Sequence, residues 1–194
     1  AAEKGWRSDN FVLLMHDPAW WQATRTTLIF AIGAVSIETV LGLGMALVLQ
    51  RFSLRLRGIL LAFVLLPWAV PAVVAARLWN WMLNDQYGII NAVLLRMDLI
   101  PHGIAWTARS SGMIAMMMAV DVWQATPFMA LLSLAGLQSL SPEIVEAAKV
   151  DGAGAWQRFR YMTLPLLRPI LVIAALFRLL DALRMFDLSS VLYG

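Results

Sequence analysis

Cysteine is absent from the 194 residues of this chain. Its absence excludes disulfide scaffolds, thiolate metal sites, iron–sulfur clusters and cysteine nucleophiles. Histidine is nearly absent too, and neither His16 nor His102 has the spacing of a metal-ligand set around it. We therefore expect no metal site in this chain.

Motifs that carry enzymatic chemistry are also missing. The sequence has no GxxxxGK[ST] loop to cradle nucleotide phosphates, and it has neither HExxH nor GxSxG. We therefore expect no cofactor in this chain and no enzymatic activity. Two carboxylates in separate apolar stretches, Asp121 and Asp181, leave an intramembrane enzyme as an alternative, and a membrane scaffold without transport activity is a second.

Charged residues are scarce and apolar residues are abundant. Charged types make up 14% and apolar types 61% of the chain, whereas soluble domains have about 25% and about 45–50%. A soluble domain of this size lacks the interior volume to hide so many apolar side chains. We therefore expect an all-α integral membrane protein. The net charge of +3 suits loops that face anionic lipid better than a nucleic-acid surface, so no nucleic-acid partner is expected.

Four stretches are apolar enough to cross a bilayer core, which needs about 20 residues of helix. Their leucine, alanine and methionine content favours helix over strand. The predicted spans are residues 26–50, 58–80, 110–137 and 166–186. Because the chain starts with alanine and residues 1–25 have no secretory signal pattern, we expect a fragment of a longer protein, with one transmembrane domain over residues 1–194.

Basic residues predict the orientation of these spans. Seven of them lie within or just after the segments 51–57 and 138–165. By the positive-inside rule, this predicts that both segments are in the cytoplasm. The opposite side has five, namely Lys4, Arg7, Arg25, Arg96 and Arg109. Tryptophans cluster at that opposite boundary, as an interfacial belt would, namely Trp20, Trp21, Trp79, Trp81 and Trp106.

The cytoplasmic segment 138–165 has helical patterning of its own. Ser141 suits an N-cap, and Gly152 can adopt the left-handed conformation that ends a helix. A second short helix is predicted after Gly154, with Pro165 and Pro169 marking its junction to the last span. The apolar side of the first helix is mostly alanine, so a helix that docks on another protein is favoured over one that lies on lipid.

The motifs of this segment resemble those of a known family. EAAKVDGA, followed by WQRF and TLP, resembles the EAA loop of permease subunits of binding-protein-dependent ABC importers. LLPWAVPAVVAARLW with YGIINAVL, DVWQATPFMALLSLAGLQSL and FRLLDALRMFDLSSVLYG are similar to other spans of that family. The resemblance is strongest to sugar permeases of the maltose, trehalose and glycerol-phosphate group. The family core has about six spans and this chain shows four, so the first and last are expected to be missing.

The resemblance implies a type I ABC-importer permease-like helical bundle in a bacterial or archaeal cytoplasmic membrane, with several membrane passes and a cytoplasmic coupling helix. It implies a second permease subunit, ATPase subunits that bind ATP and magnesium, and an extracytoplasmic substrate-binding protein. The implied substrate is a sugar such as trehalose or maltose, although permeases for amino acids, phosphate or glycerol phosphate share the loop. The implied ATPase-coupling residues are Glu146, Ala147, Ala148, Asp151 and Gly152.

Several charged side chains lie inside the predicted spans. A lone charge at the bilayer centre costs roughly 2.5–3.5 kcal/mol, so these groups must pair, face the bundle interior or line water. Arg178 and Asp181 share a helix face, and Asp121 lies at similar depth, so one polar cluster is predicted. Two roles of this cluster stay open. It holds helices together through buried ion pairs, or it borders the sugar route. The predicted pathway residues are Asp121, Trp123, Glu38, Arg178 and Asp181.

Overall fold

The computed structural model describes residues 9–106, 108 and 110–184, and within these residues the chain forms helices and no strand, which confirms the all-α expectation for that part. The helices are α1 (Asp9–His16), α2 (Pro18–Leu49), α3 (Leu54–Val64), α4 (Leu66–Ala69), α5 (Ala72–Met82), α6 (Ile89–Arg96), α7 (Ser110–Gln138), α8 (Pro142–Val150), α9 (Ala155–Arg158) and α10 (Leu164–Leu183), with a π-helical segment Phe159–Thr163 between α9 and α10. The end of the fourth predicted span and the last ten residues of the FRLLDALRMFDLSSVLYG motif, 185–194, lie outside the described residues, as do Lys4, Arg7 and Arg109.

Helix α2 begins at Pro18, well before the predicted start at residue 26. Asp17 is its N-cap, since the carboxylate Oδ1 accepts a hydrogen bond from the backbone N of Ala19 at 2.9 Å. Arg25 bounds the apolar stretch but does not end the helix, because a charged side chain is compatible with helical backbone. At 32 residues, α2 is about 48 Å long, which exceeds the roughly 30 Å of a bilayer core.

The apolar stretch 58–80 is three helices, so the sequence analysis was wrong to treat it as one continuous helix. Breaks occur beside Pro67 and Pro71, which lack the backbone N–H that a continuing helix needs. The carbonyl of Val70, freed at the second break, accepts a hydrogen bond from Gln124 Nε2 at 2.7 Å. A side chain of α7 therefore stabilises the broken segment.

Three long helices form the core of the bundle. Helix α2 packs along α7, and α10 packs against both of them. A ladder of buried residues at four-residue steps on α2 faces α7, and small side chains dominate it: Ala34, Glu38, Gly42 and Ala46. A Cβ on Gly42 would lie only 2.6 Å from the Cβ of Met129, so α7 crosses α2 in near contact at this glycine.

Two apolar clusters fill the bundle, one on each side of a charged layer. The first includes Phe30, Ala31, Val35, Ala76, Met113, Met117, Val120 and Ala182. The second includes Ala46, Leu49, Leu134, Leu137, Leu167 and Leu171. On α2, α7 and α10 a charged residue falls between the members of the two clusters. These residues are Glu38, Asp121 and Arg178.

Two of the described helices are long and apolar enough to cross a membrane by length and composition, namely α2 and residues 112–138 of α7. Helices α3, α4 and α5 are each too short for that test. Helix α10 is long enough but carries Arg168, Arg178 and Asp181 along its length.

Candidate functional site

Helix α8 occupies the segment in which the sequence predicted a docking helix. It begins after Ser141, whose backbone has the extended conformation of an N-cap residue. The Ser141 hydroxyl makes no capping hydrogen bond, so the predicted capping position is right and the predicted side-chain contact is not. Glu143 lies in the first turn and Lys149 in the last, which matches both charges to the helix dipole.

The turn after α8 is a Schellman motif. Gly152 has a φ of 77°, which confirms the predicted left-handed conformation. The backbone N of Gly152 donates to the carbonyl of Lys149 at 3.1 Å, and that of Ala153 donates to the carbonyl of Ala148 at 3.0 Å. These two bonds satisfy the last carbonyls of α8 and fix the angle at which the chain leaves it.

The exposed face of α8 differs in part from the predicted one. Glu146, Ala147, Asp151 and Gly152 are exposed, as a docking surface requires, whereas Ala148 is only 7% exposed. Val150, which the sequence analysis did not single out, is 88% exposed. The structure therefore brings four of the five predicted coupling residues to the surface and turns Ala148 toward the protein.

The second helix of this loop is not a separate element. Gly154 caps α9, since its backbone N donates to Gln157 Oε1 at 2.8 Å. Helix α9 continues through the π-helical segment into α10, which begins at Leu164, so the predicted junction at Pro165 is right in position but is a change of helix type and not a gap between helices. The π-helical segment shifts the hydrogen-bond register just before Pro165, which lies in the first turn of α10, where a missing N–H is tolerated. Helix α9, the π-helical segment and α10 therefore form one continuous helical run, and the turn at Gly152 separates α8 from it.

The charged side chains of the three core helices meet at Arg178. Its Nε donates to Glu38 Oε2 at 2.8 Å, and its Nη2 donates to Glu38 Oε1 at 3.0 Å and to Asp121 Oδ1 at 3.0 Å. Its Nη1 donates to Asp181 Oδ2. The structure thus brings together the predicted cluster of Asp121, Arg178 and Asp181, and it joins to that cluster Glu38, another of the predicted intramembrane charges.

A cavity of about 220 Å³ lies beside this cluster. Its lining residues are Trp68, Ala72, Asp121, Gln124, Ala125, Arg178, Asp181 and Arg184. Three of the predicted pathway residues therefore border it, whereas Glu38 is fully buried behind Arg178 and Trp123 is not among the lining residues. Asp181 differs from its partners, because its side chain is 74% exposed.

Two aromatic pairs connect α7 to neighbouring helices, one to α4 and one to α5. Trp68 stacks on Phe128 with ring centroids 5.6 Å apart, and Trp68 borders the cavity. Trp123 instead meets Trp79 edge to face at 5.6 Å, packed beside the first apolar cluster. Sequence reasoning missed Trp68, Gln124 and Arg184. The only signal for Trp68 was its place between two prolines that break the helix.

A compact lobe between α5 and α7 is organised by a buried amide. Asn91 donates to the carbonyl of Ile104 at 3.0 Å and accepts from the backbone N of Ile104 at 3.2 Å. It also accepts a hydrogen bond from Trp106 Nε1 at 3.0 Å. Asn91 lies in the YGIINAVL motif, and it makes Trp106 a part of the lobe's hydrogen-bond network.

Comparison with known proteins identifies the family. Residues 38–194 match the family described as the binding-protein-dependent transport system inner membrane component. This chain belongs to that family. A member is a transport component of the inner membrane that works with an ATPase, and it is not an enzyme. The family match covers α7, α8 and α10, and it begins at Glu38 within α2.

Three relatives of this family member are named for sugar-related transport. The trehalose/maltose transport system permease protein MalF of Thermococcus litoralis is 42% identical over 95% of this chain and 62% of its own length. The trehalose transport system permease protein SugA of Mycobacterium tuberculosis is 37% identical, over 95% and 58%. The sulfoquinovosyl glycerol transport system permease protein SmoG of Agrobacterium fabrum is 35% identical, over 96% and 59%. The chain therefore spans less than two thirds of the length of these relatives.

A solved structure has the same fold as this family member. A chain from a bacterial ABC transporter involved in the import of the acidic polysaccharide alginate superposes with a TM-score of 0.86 at 24% identity, over 99% of this chain and 68% of that one. A second structure of a bacterial alginate ABC transporter, in complex with an alginate pentasaccharide-bound periplasmic protein, gives a TM-score of 0.79 at 22% identity. The likeness establishes the type I permease fold.

Proposed function

We propose that this chain is the membrane core of a permease subunit of an ATP-driven sugar importer in a bacterial or archaeal cytoplasmic membrane. The observation that carries the proposal is the geometry of α8 in a member of this family. A Schellman turn holds the helix with Glu146 and Ala147 exposed. After this turn, α9 continues through the π-helical segment into α10, so a movement of α8 would pass through the turn and then along α10 to the charged cluster at Arg178.

The proposed division of labour assigns ATP and magnesium to a partner ATPase. Glu146, Ala147, Asp151 and Gly152 form the surface of this chain that meets the ATPase. A second permease subunit completes the pathway, and an extracytoplasmic binding protein delivers the substrate. ATP hydrolysis on the partner then moves α8, and α10 carries the movement into the bundle.

The proposed substrate is a di- or oligosaccharide of the trehalose or maltose kind. The names of the relatives support this class. The cavity beside Arg178 supports it independently, because it combines an aromatic ring at Trp68 with a carboxylate at Asp181 and a guanidinium at Arg184. Aromatic faces contact the apolar faces of sugar rings, and charged groups bind sugar hydroxyls. We propose that Trp68, Asp181 and Arg184 border the sugar route and that Arg178 and Glu38 hold its wall.

The proposed topology has four membrane passes, with α3, α4 and α5 together making the second. It places Arg55 and Lys149 in the cytoplasm and Asp17 and Asp98 outside. Because this chain has no cysteine, Asp98→Cys and Arg55→Cys allow clean labelling in intact cells. An impermeant thiol reagent should label the first and spare the second. The reverse labelling pattern would overturn the orientation.

The experiment that tests the function uses the intact importer, with the full-length permease, its ATPase and its binding protein in liposomes. Uptake of labelled trehalose and maltose should require ATP inside the liposomes. Gly152→Val should abolish sugar-stimulated hydrolysis, since a branched residue at positive φ costs roughly 1–3 kcal/mol. Gly154→Ala is the matched control, because Gly154 has a φ of −64° and a Cβ there meets only ordinary contacts. Equal coupling in both variants would contradict the proposal.

A further inference from the structure

A second cavity lies where the coupling loop meets the bundle. Its volume is about 510 Å³, which is within the range of small-molecule sites. Leu47 and Arg51 line it from the end of α2, Leu137 from the end of α7, Val145 from α8, and Arg158 and Phe159 from the helix that follows. An occupant of this cavity would therefore touch both the core helices and the helix proposed to meet the ATPase.

The described residues that line this cavity include positive charges and no negative charge. Arg51 and Arg158 are the charged members, and none of the described lining residues is a carboxylate. Arg158 already donates to the carbonyl of Ala153. Arg57, in the first turn of α3, donates to the carbonyls of Gln50 and Phe52 just after the end of α2. Among the described residues, the Arg51 guanidinium donates to no such acceptor, so its donors are available to an anion.

In the proposed topology, the cavity lies at the cytoplasmic boundary between hydrocarbon and lipid headgroups. Arg51 directly follows the apolar stretch that ends at Gln50, and the leucines of the lining lie on the apolar side of it. Trp156, also in the lining, is 71% exposed, and tryptophan is enriched at this depth. The cytoplasmic leaflet carries the anionic lipids of the membrane. A ligand with an anionic head and an apolar tail satisfies both parts of the lining at once.

We propose that this cavity binds the headgroup of an anionic phospholipid, such as phosphatidylglycerol, and that the bound lipid ties the coupling loop to the ends of α2 and α7. Its phosphate contacts Arg51 and Arg158, and its acyl chains lie along Leu47 and Leu137. The inference rests on the proposed function for its orientation and for its effect on coupling. It adds a lipid requirement to that function, because an empty cavity leaves α8 less firmly attached to the bundle.

The first experiment measures lipid binding directly. The intact importer is purified from phosphatidylcholine nanodiscs that contain graded amounts of phosphatidylglycerol, and the retained phosphatidylglycerol is counted by native mass spectrometry. Arg51→Gln should weaken retention about fivefold, the effect of one basic residue near an anionic surface. Arg55→Gln is the matched control, since Arg55 is exposed in the nearby first turn of α3 and is not among the residues that line the cavity. Val145→Phe should also reduce retention by filling the cavity while both arginines remain.

The second experiment measures sugar-stimulated ATP hydrolysis in the same nanodiscs. In wild type and in Arg55→Gln, sugar-stimulated ATP hydrolysis should rise as phosphatidylglycerol is added. Arg51→Gln should need about fivefold more phosphatidylglycerol to reach the same rate. Equal retention by Arg51→Gln and Arg55→Gln would overturn the inference, and so would displacement of the lipid by millimolar glycerol phosphate or inorganic phosphate. If wild type retains the lipid but shows no stimulated hydrolysis, the proposed function fails and the site stands.

Discussion

Arg178 of α10 and Glu38 of α2 form a two-point ion pair inside the bundle, Nε to Oε2 at 2.8 Å and Nη2 to Oε1 at 3.0 Å. Both side chains are buried, Glu38 completely. The pair joins residues 140 positions apart in the sequence and lies between two apolar clusters. It therefore holds α10 against α2 at the level of the cavity that we assign to the sugar route.

Glu38→Gln should destabilise the permease strongly. The change removes one charge from a buried pair, and such losses cost about 3–5 kcal/mol. Asp181→Asn is the matched control, because Asp181 contacts the same arginine from an exposed position and exposed pairs contribute only about 0–1 kcal/mol. The measurement is the thermal unfolding midpoint of the purified full-length permease. Equal shifts in the two variants would contradict the structural role of Glu38.

Trp68→Leu should impair sugar transport while the permease stays folded. Trp68 is half exposed and borders the cavity, so its loss removes an aromatic surface but little buried packing. Trp81→Leu is the comparison, since Trp81 is also exposed but lies away from the cavity. Uptake per folded molecule and the unfolding midpoint are measured on the same preparation. If the two variants transport trehalose and maltose equally well, the cavity is not on the route.

The variant Asp121→Asn distinguishes two roles of Asp121 at the same cavity: holding the cavity wall together through Arg178, or bordering the sugar route. Asp121 is buried and bonds to Arg178 through both carboxylate oxygens, at 3.0 and 3.1 Å, so we expect lost stability. Transport should also change, because Asp121 borders the cavity. Lost stability with normal transport per folded molecule would restrict Asp121 to the wall.

Gly42→Ala should destabilise the contact between α2 and α7. The added Cβ would meet Met129 at 2.6 Å and backbone atoms of Met129 and Ala130 within 3 Å, which leaves no flexible side-chain end to move aside. Overpacking of this kind costs typically about 1–3 kcal/mol. Gly44→Ala in the same helix meets nothing within 4 Å and should be neutral or slightly stabilising. The check is the difference in unfolding midpoint between the two variants.

Asn91→Ala should loosen the lobe between α5 and α7. The buried amide serves the backbone of Ile104 and the indole of Trp106, and each unsatisfied buried group costs about 1–3 kcal/mol. Limited proteolysis within residues 97–106 should become faster, with α2 and α7 still protected. Gln86→Ala, an exposed change in the same lobe, should leave the cleavage rate unchanged.

Much of the fold was predictable because its signals are local. Apolar length predicted the helices that became α2 and α7, and Gly152 predicted the end of α8. Asp17 followed by Pro18 is an equally local signal for the start of α2, and it marks the N-cap that the position of Arg25 does not. The breaks at Pro67 and Pro71 leave no mark in hydropathy, which stays high across residues 58–80, and only the prolines themselves indicate them.

The sequence predicted site residues only where an unpaired charge inside an apolar helix would cost free energy. Charges inside apolar helices had to pair, which led to Arg178, Asp121 and Asp181. No such requirement predicted Trp68, Gln124 and Arg184. These residues come together only because α4, α7 and α10 pack together. The difference between Ala147 and Ala148 depends in the same way on which side of α8 faces the bundle, which the alanine pattern alone does not contain.

Cysteine crosslinking from α8 to the ATPase tests the proposed coupling most directly. Ala147→Cys and Ala148→Cys are made separately in a full-length permease without other cysteines, and each is treated with a short bifunctional thiol reagent in an importer whose ATPase carries cysteines around its permease-facing cleft. Ala147 is exposed and Ala148 is 7% exposed, so we predict crosslinking from position 147 that changes when ATP is bound, and little from position 148. Crosslinking from neither position, in an importer that transports sugar, would contradict the assignment of α8 as the coupling helix.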